Sequence, residues 1–158
     1  MFRPMRRFKQ QMTPEACVEI LKKSMRGVLA VSGDEGYPYT VPIDYYYDEP
    51  TGRLYFHCAT TGHKIDALKR SDKVTFNILY NLGKKGGEWW YTIQSVIIFG
   101  RLHILDDEER AEAMLTKIGE KYFPPEVSVE EAVKSARGRI YILELVPEHI
   151  SGKEVREK

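Results

Sequence analysis

The sequence predicts one α+β domain, residues 1–158, in which short antiparallel strands curl into a barrel flanked by helices. Three observations carry this reading. Six short segments have strand character, several of them alternating apolar and polar residues as half-buried strands do. Turn chemistry joins neighbours at hairpin length, which makes their pairing antiparallel. Helix caps and helical periodicity mark the ends and the crossovers. Short strands of this kind favour closure, because a barrel leaves no exposed edge.

The elements follow in order. Thr13 and Pro14 form an N-cap and first-turn proline, and Ala16, Ile20 and Leu21 recur at helical spacing, so a helix spans 13–24 with Gly27 as its stop. "GVLAVS" (27–32) is a strand, "GDEGYP" a turn, and "YTVPIDYYY" (39–47) the returning strand. A second turn, Asp48 to Gly52, leads into "RLYFHC" (53–58). "KIDALKRS" has Ile65 and Leu68 three apart, which predicts a short helix. "KVTFNILY" (73–80) alternates as a strand, and "NLGKKGGE" (81–88) reads as a loop. A long strand follows over 89–105, bent at Gly100. An acidic-started amphipathic helix covers 106–123 and is stopped by Pro124 and Pro125. Ser128, with Glu131 three residues on, caps a helix over 128–136, and "RIYILELV" (139–146) is the last strand.

Composition excludes several function classes. The chain is 42% hydrophobic with a formal net charge of +1, so no global field draws nucleic acid or an anionic membrane. No apolar run approaches the length needed to span a bilayer. "MFRPMRRFKQQM" is basic and lacks an apolar signal region, so it reads as a cytoplasmic start. Cys17 and Cys58, far apart, read as two reduced thiols.

Two stretches are dense in chemistry. "ATTGHK" (59–64) places Thr60, Thr61, Gly62, His63 and Lys64 at the entry to a helix. Hydroxyl donors, a glycine that admits close approach, the unpaired N–H groups of a helix start and one full positive charge together suit a phosphate. An ordinary turn whose threonine caps the next helix explains the same residues, and both readings stand at this level. The spacing matches neither a P-loop nor a dinucleotide fingerprint. "GYPYTVPIDYYY" (36–47) carries Pro42 inside a strand, which puts that strand at a sheet edge or a bulge. Such an edge can offer free backbone groups to a flat ligand. Adjacent His57 and Cys58 point to opposite faces of their strand, so they are not a metal pair, and no metal is expected.

These two stretches, with "QSVIIFGRLHIL", "MFRPMRR" and "LELVPEHISGK", resemble the pyridoxamine 5′-phosphate oxidase-like superfamily of FMN-binding split barrels. Within it they look most like the nitroimidazole-resistance branch, and the likeness runs through nearly the whole chain in order. The resemblance implies a homodimer of six-stranded split barrels with FMN at the subunit interface. It implies that Thr61, Gly62, His63 and Lys64 hold the phosphate. Thr40, Val41, Pro42 and Ile43 would line the flavin ring through their backbone, and His57, Cys58 and Ala59 would border the ribityl chain. Gln94 and Ser95 would reach the flavin from the partner.

Departures from the oxidase pattern narrow the function. One phosphate arginine has no counterpart near Thr40, and the other is replaced by His63, so the cradle is less cationic. "HISGKEVREK" (149–158) stands where the oxidase's substrate-binding Arg/Trp segment would be, which argues against pyridoxamine phosphate oxidation. The resemblance then implies an FMN oxidoreductase acting on a small, flat, electron-poor substrate such as a nitroaromatic, with Tyr39, His57 and Trp90 as candidate substrate-face groups. The alternative is a flavin- or haem-binding protein without turnover, since related split barrels bind haem or a deazaflavin.

Overall fold

The computed structural model describes residues 1–84 and 86–156, leaving aside the side chains of Asn81 and Leu82. Among the described residues the chain forms seven strands and four α-helices. The strands are β1 (Arg26–Ser32), β2 (Pro38–Asp44), β3 (Tyr46–Asp48), β4 (Arg53–Ala59), β5 (Lys73–Gly83), β6 (Thr92–Ile104) and β7 (Ile140–Arg156). The helices are α1 (Pro14–Lys23), α2 (His63–Arg70), α3 (Glu108–Tyr122) and α4 (Val129–Ala136). All strands join one antiparallel sheet in the order β2-β1-β5-β6-β7-β4-β3.

That order explains why the sheet curls. β2 and β3 are its two opposite edges, yet only Tyr45 separates them in the chain. A flat sheet of this width would hold its edges far apart, so the sheet must roll until they meet at one end. The result is a barrel left open along the line between β2 and β4. Leu29, Phe56, Phe76, Ile78, Val96, Ile98, Leu143 and Leu145 fill its interior and are almost wholly buried.

The expected class holds, and its details need correction. The strand expected over 39–47 is two strands, because Tyr45 leaves the ladder, and the count is seven rather than six. Tyr45 is fully buried, and its hydroxyl donates to the Leu21 carbonyl at 2.7 Å. Its main chain is held by α3. The Tyr45 N–H donates to the Tyr122 hydroxyl at 3.0 Å, whose own proton lies between the carbonyls of Tyr45 and Met25. The Lys121 ammonium donates to the carbonyls of Ser24 (2.8 Å) and Tyr45 (2.9 Å) and lies 4.3 Å from the Tyr45 ring centre. Burial lowers the pKa of this lysine to about 8 and raises that of Tyr122 to about 12.

Other boundaries shift for local reasons. Gly27 is not a helix stop but a β1 residue lying flat under Phe76. β5 runs on to Gly83, inside the loop expected over 81–88, and Lys85 of that loop lies outside the described residues. β6 begins at Thr92, after Trp89 to Tyr91. β7 continues ten residues past the expected end at Val146, paired to β6 as far as Arg156. The bend at Gly100 is present: the β6–β7 register slips between Phe99 and Gly100. A Cβ at Gly100 would stand 2.4 Å from the Val146 carbonyl oxygen, so the close approach requires glycine.

Candidate functional site

The gap in the barrel has two unpaired strand edges as walls. β2 pairs only with β1, so the other edge of Pro38–Asp44 is free. β3 covers β4 only at Arg53, Leu54 and Tyr55, so Phe56–Ala59 bond to β7 on one side and to no strand on the other. Thr40–Ile43 and His57–Ala59 therefore lie along the two edges of this gap, here termed the channel, although they lie in different hairpins. Pro42 sits on the edge strand, as its missing donor requires. Val41 and Ile43 pack on the core while Thr40 and Pro42 are exposed, which anchors the edge without covering it. His57 is exposed and Cys58 buried, on opposite faces as strand geometry demands. Both cysteines are free, and burial raises the Cys58 thiol pKa while the Lys64 charge pulls it back down.

The helix at the end of this channel is α2. Thr13 caps α1, Asp107 caps α3 and Ser128 caps α4, each accepting from an early main-chain N–H of its helix. No side chain caps α2. Gly62 takes the N-cap position at φ 122°, a conformation that favours glycine, and a Cβ there would meet nothing within 4 Å. The first ladder bonds come from Ile65 and Asp66 to the Gly62 carbonyl, at 2.9 and 3.1 Å. The N–H groups of Gly62, His63 and Lys64 make no main-chain bond among the described residues, at the positive end of the helix. Thr61 is exposed and does not cap, so the turn reading of this loop lacks the bond it needs. Lys64 is half-buried and makes no ion pair with any described residue. Unbonded N–H groups at a helix start, an open glycine and one ammonium without an ion pair among the described residues fit a phosphate ester.

His63 is placed by tertiary contacts that the sequence did not reveal. Its ring stacks on Tyr39 of β2 at 4.1 Å, and its Nε2 accepts from the Asp34 N–H at 3.2 Å. Arg70, in the last turn of α2, donates to Asp34 Oδ1 at 2.8 Å. The β1–β2 turn is thereby latched to both ends of α2. Asp34 lies 29 residues before His63, in a stretch that reads only as turn.

Gln94 and Ser95 are elsewhere. They lie in β6, at the centre of the sheet and away from the channel. Gln94 donates to Glu154 of β7 at 2.9 Å, and Ser95 is half-buried opposite Leu79. Within one chain the fold brings together the expected residues of β2, β4 and α2 but not these two. Trp90 is also distant, in the β5–β6 connection. Two cavities lie elsewhere: a groove of about 990 Å³ between α3, α4 and β7, and a cleft of about 550 Å³ behind Phe2 at the β1–β2 turn. Among the described residues no three His, Cys, Asp or Glu side chains gather as a metal site, and no helix is long and apolar enough to cross a membrane.

Comparison with known proteins decides the family. The sequence profile of the pyridoxamine 5′-phosphate oxidase family matches residues 13–154. The chain belongs to the pyridoxamine 5′-phosphate oxidase family. That match includes every strand wall of the channel and the α2 entry loop. No curated protein matches the sequence significantly. Among solved structures, the fold is similar to a candidate 5-nitroimidazole antibiotic resistance protein of Bacteroides thetaiotaomicron. The two share 22% identity and a TM-score of 0.72, over 91% of this chain and 86% of that one. An FAD-binding protein of Mesorhizobium loti shares 23% identity with a TM-score of 0.63, over 92% and 96%. An FAD- and haem-binding protein of Mycobacterium smegmatis shares 17% identity with a TM-score of 0.70, over 94% and 74%. At these identities the likeness is one of fold, and it agrees with the split barrel expected from the sequence.

Proposed function

We propose that this protein is a cytoplasmic FMN-binding oxidoreductase that reduces a small, flat, electron-poor substrate of nitroaromatic type. The observation that carries the reading is the uncapped, glycine-opened N terminus of α2 at the end of a channel walled by free strand edges. The phosphate would rest on the N–H groups at Gly62, His63 and Lys64, with the Lys64 ammonium as its counter-charge. The backbone of Thr40–Ile43 would run along the flavin ring, and His57–Ala59 along the ribityl chain. A bound flavin would supply electron and hydride transfer. The chain's own part is to orient the ring against β2 and to leave its open face to a flat substrate. Lys64 as the single unneutralised charge suits one phosphate better than the pyrophosphate of a dinucleotide.

The working unit in this proposal is a homodimer. On the outer face of β1, β5 and β6, Val28, Leu79, Ile97 and Phe99 stand on one side of the sheet at 37%, 65%, 37% and 39% exposure, with Phe2 stacked on Phe99. An apolar face of this size on a small domain calls for a partner. Pairing two such faces would also bring Ser95, on the same side of the sheet as Leu79 and Ile97, to the interface.

Mass spectrometry of the ligand released from purified protein tests the proposal. FMN as the main species supports it, and FAD or haem as the main species overturns it. A haem- or flavin-binding role without turnover is the second reading, favoured by the fold shared with the FAD- and haem-binding mycobacterial protein. A sharp Soret band in the purified protein would select it.

A further inference from the structure

The contacts of His63 fix more than its position. We propose that the Asp34 N–H and the Tyr39 ring preset His63 as a neutral imidazole protonated on Nδ1, making it an uncharged, directional donor to the phosphate of a flavin mononucleotide. The inference rests on the phosphate cradle argued above.

A backbone N–H can only donate. Because Asp34 N lies 3.2 Å from His63 Nε2, that nitrogen must offer its lone pair. A neutral ring with Nε2 as acceptor carries its proton on Nδ1, the reverse of the tautomer that solvent-exposed histidines favour. The neighbouring carboxylates are engaged elsewhere. The Asp34 carboxylate could draw a proton onto Nε2, but its Oδ2 stands 3.5 Å away, and its Oδ1 is bound by Arg70 at 2.8 Å. Asp66 points its charge at Lys69, 2.8 Å away. The Tyr39 ring, stacked at 4.1 Å and 26°, keeps the imidazole from turning to exchange its two nitrogens.

Nδ1 is the ring nitrogen nearer the main chain, and the main chain of His63 is the first residue of α2. With Nε2 engaged by Asp34 and no partner for Nδ1 among the described residues, the Nδ1 proton is the one left for a group bound at the start of α2. Where the oxidase pattern has an arginine, this chain has a neutral donor aimed by two tertiary contacts. The cradle then carries one formal charge, on Lys64, and its selectivity for a phosphate comes from direction as much as from charge.

The test separates the N–H from the carboxylate. Asp34 opens a 3-10 turn after Gly33, which is extended (φ −78°, ψ −169°), so proline fits at position 34 and removes only the donor and the side chain. Asp34→Ala removes the side chain alone. Long-range proton–nitrogen correlation spectra of flavin-free, nitrogen-15-labelled protein at pH 8, with His63→Asn giving the assignment, report which ring nitrogen is protonated. Nδ1–H in wild type and Asp34→Ala, lost in Asp34→Pro, is the expected pattern. Nε2–H or an imidazolium in wild type overturns the proposal whatever flavin binds. In parallel, Asp34→Pro should weaken FMN about threefold to tenfold and leave riboflavin unchanged, as loss of one directed hydrogen bond would. Asp34→Ala should stay within about twofold of wild type for both. Tyr39→Phe keeps the stack and should keep the tautomer. Equal loss of FMN and riboflavin in Asp34→Pro overturns the donor role. Wild type that fails to prefer FMN over riboflavin overturns the cradle itself, and the tautomer, read without flavin, keeps the two failures distinct.

Discussion

Lys64→Ala is the substitution on which the cradle depends most. Lys64 stands in the first turn of α2, half-buried, without an ion pair among the described residues. In a free protein that position is unfavourable, because a cation near a helix N terminus opposes the dipole by about 0.3–1 kcal/mol. Removing the charge should therefore leave stability unchanged or raise it by a few tenths of a kcal/mol. Binding responds in the opposite sense. A charge-assisted contact to a phosphate contributes about 1.5–3 kcal/mol, so FMN affinity should fall by about one to two decades. Riboflavin, which lacks the phosphate, should bind wild type and variant alike. Quenching of flavin fluorescence during titration measures all four affinities, and a thermal melt checks the fold. Equal FMN affinity in the two proteins, with the fold intact, would refute the reasoning, as would a parallel loss of riboflavin.

Three further outcomes follow from the same structure. Burial lowers Lys121 to about 8, whereas an unfolded chain titrates it near ~10.4. Between pH 8 and about 9.5 the unfolded state binds more protons, so wild-type stability should rise with pH relative to Lys121→Met; melts at both pH values that move in parallel would exclude this burial cost. Gly100→Ala drives a Cβ into the Val146 carbonyl and should cost about 1–3 kcal/mol, read as a lowered unfolding midpoint in urea; an unchanged midpoint would mean that the bulge tolerates a side chain. Ile97→Glu places a charge in the middle of the apolar sheet face and should convert a dimer to a folded monomer in light scattering; a dimer that survives it would place the interface elsewhere.

Much of the fold was legible because local signals agreed with the final packing. Thr13 accepts from the Ala16 N–H at 3.2 Å and Ser128 from the Glu131 N–H at 3.3 Å, as the capping pattern required. Pro42 reported an edge strand because a missing donor is a local fact. The break at Tyr45 was not legible. Tyr45 and Tyr47 are both buried, so the alternation of the strand continues unbroken through the break. What ends the ladder is Lys121 and Tyr122, 76 and 77 residues away. The length of β7 was hidden for a related reason. Pro147, Gly152 and the charges around them carry no strand pattern, and pairing with β6, with one register slip that leaves Glu148 out of the ladder, keeps the segment extended.

The candidate site divides along the same line. The loop at 59–64 and the edge at 40–43 could be read as residue types with a shared chemistry. Their meeting at one channel could not, because it depends on the sheet rolling until β2 approaches β4. The latch on His63 is the extreme case, since its acceptor role is set by a main-chain N–H that no side-chain pattern records. Gln94 and Ser95 were assigned through resemblance alone, and one chain does not bring them to the channel.

The most direct test of the account is a pair of nitrogen-15 amide spectra recorded during titration with FMN and with riboflavin. The amides of Gly62, His63 and Lys64 should shift strongly with FMN and stay still with riboflavin, while those of Thr40, Val41 and Ile43 shift with both. Silent amides at 62–64 in FMN-saturated protein would contradict it, because the phosphate would then rest somewhere other than the N terminus of α2.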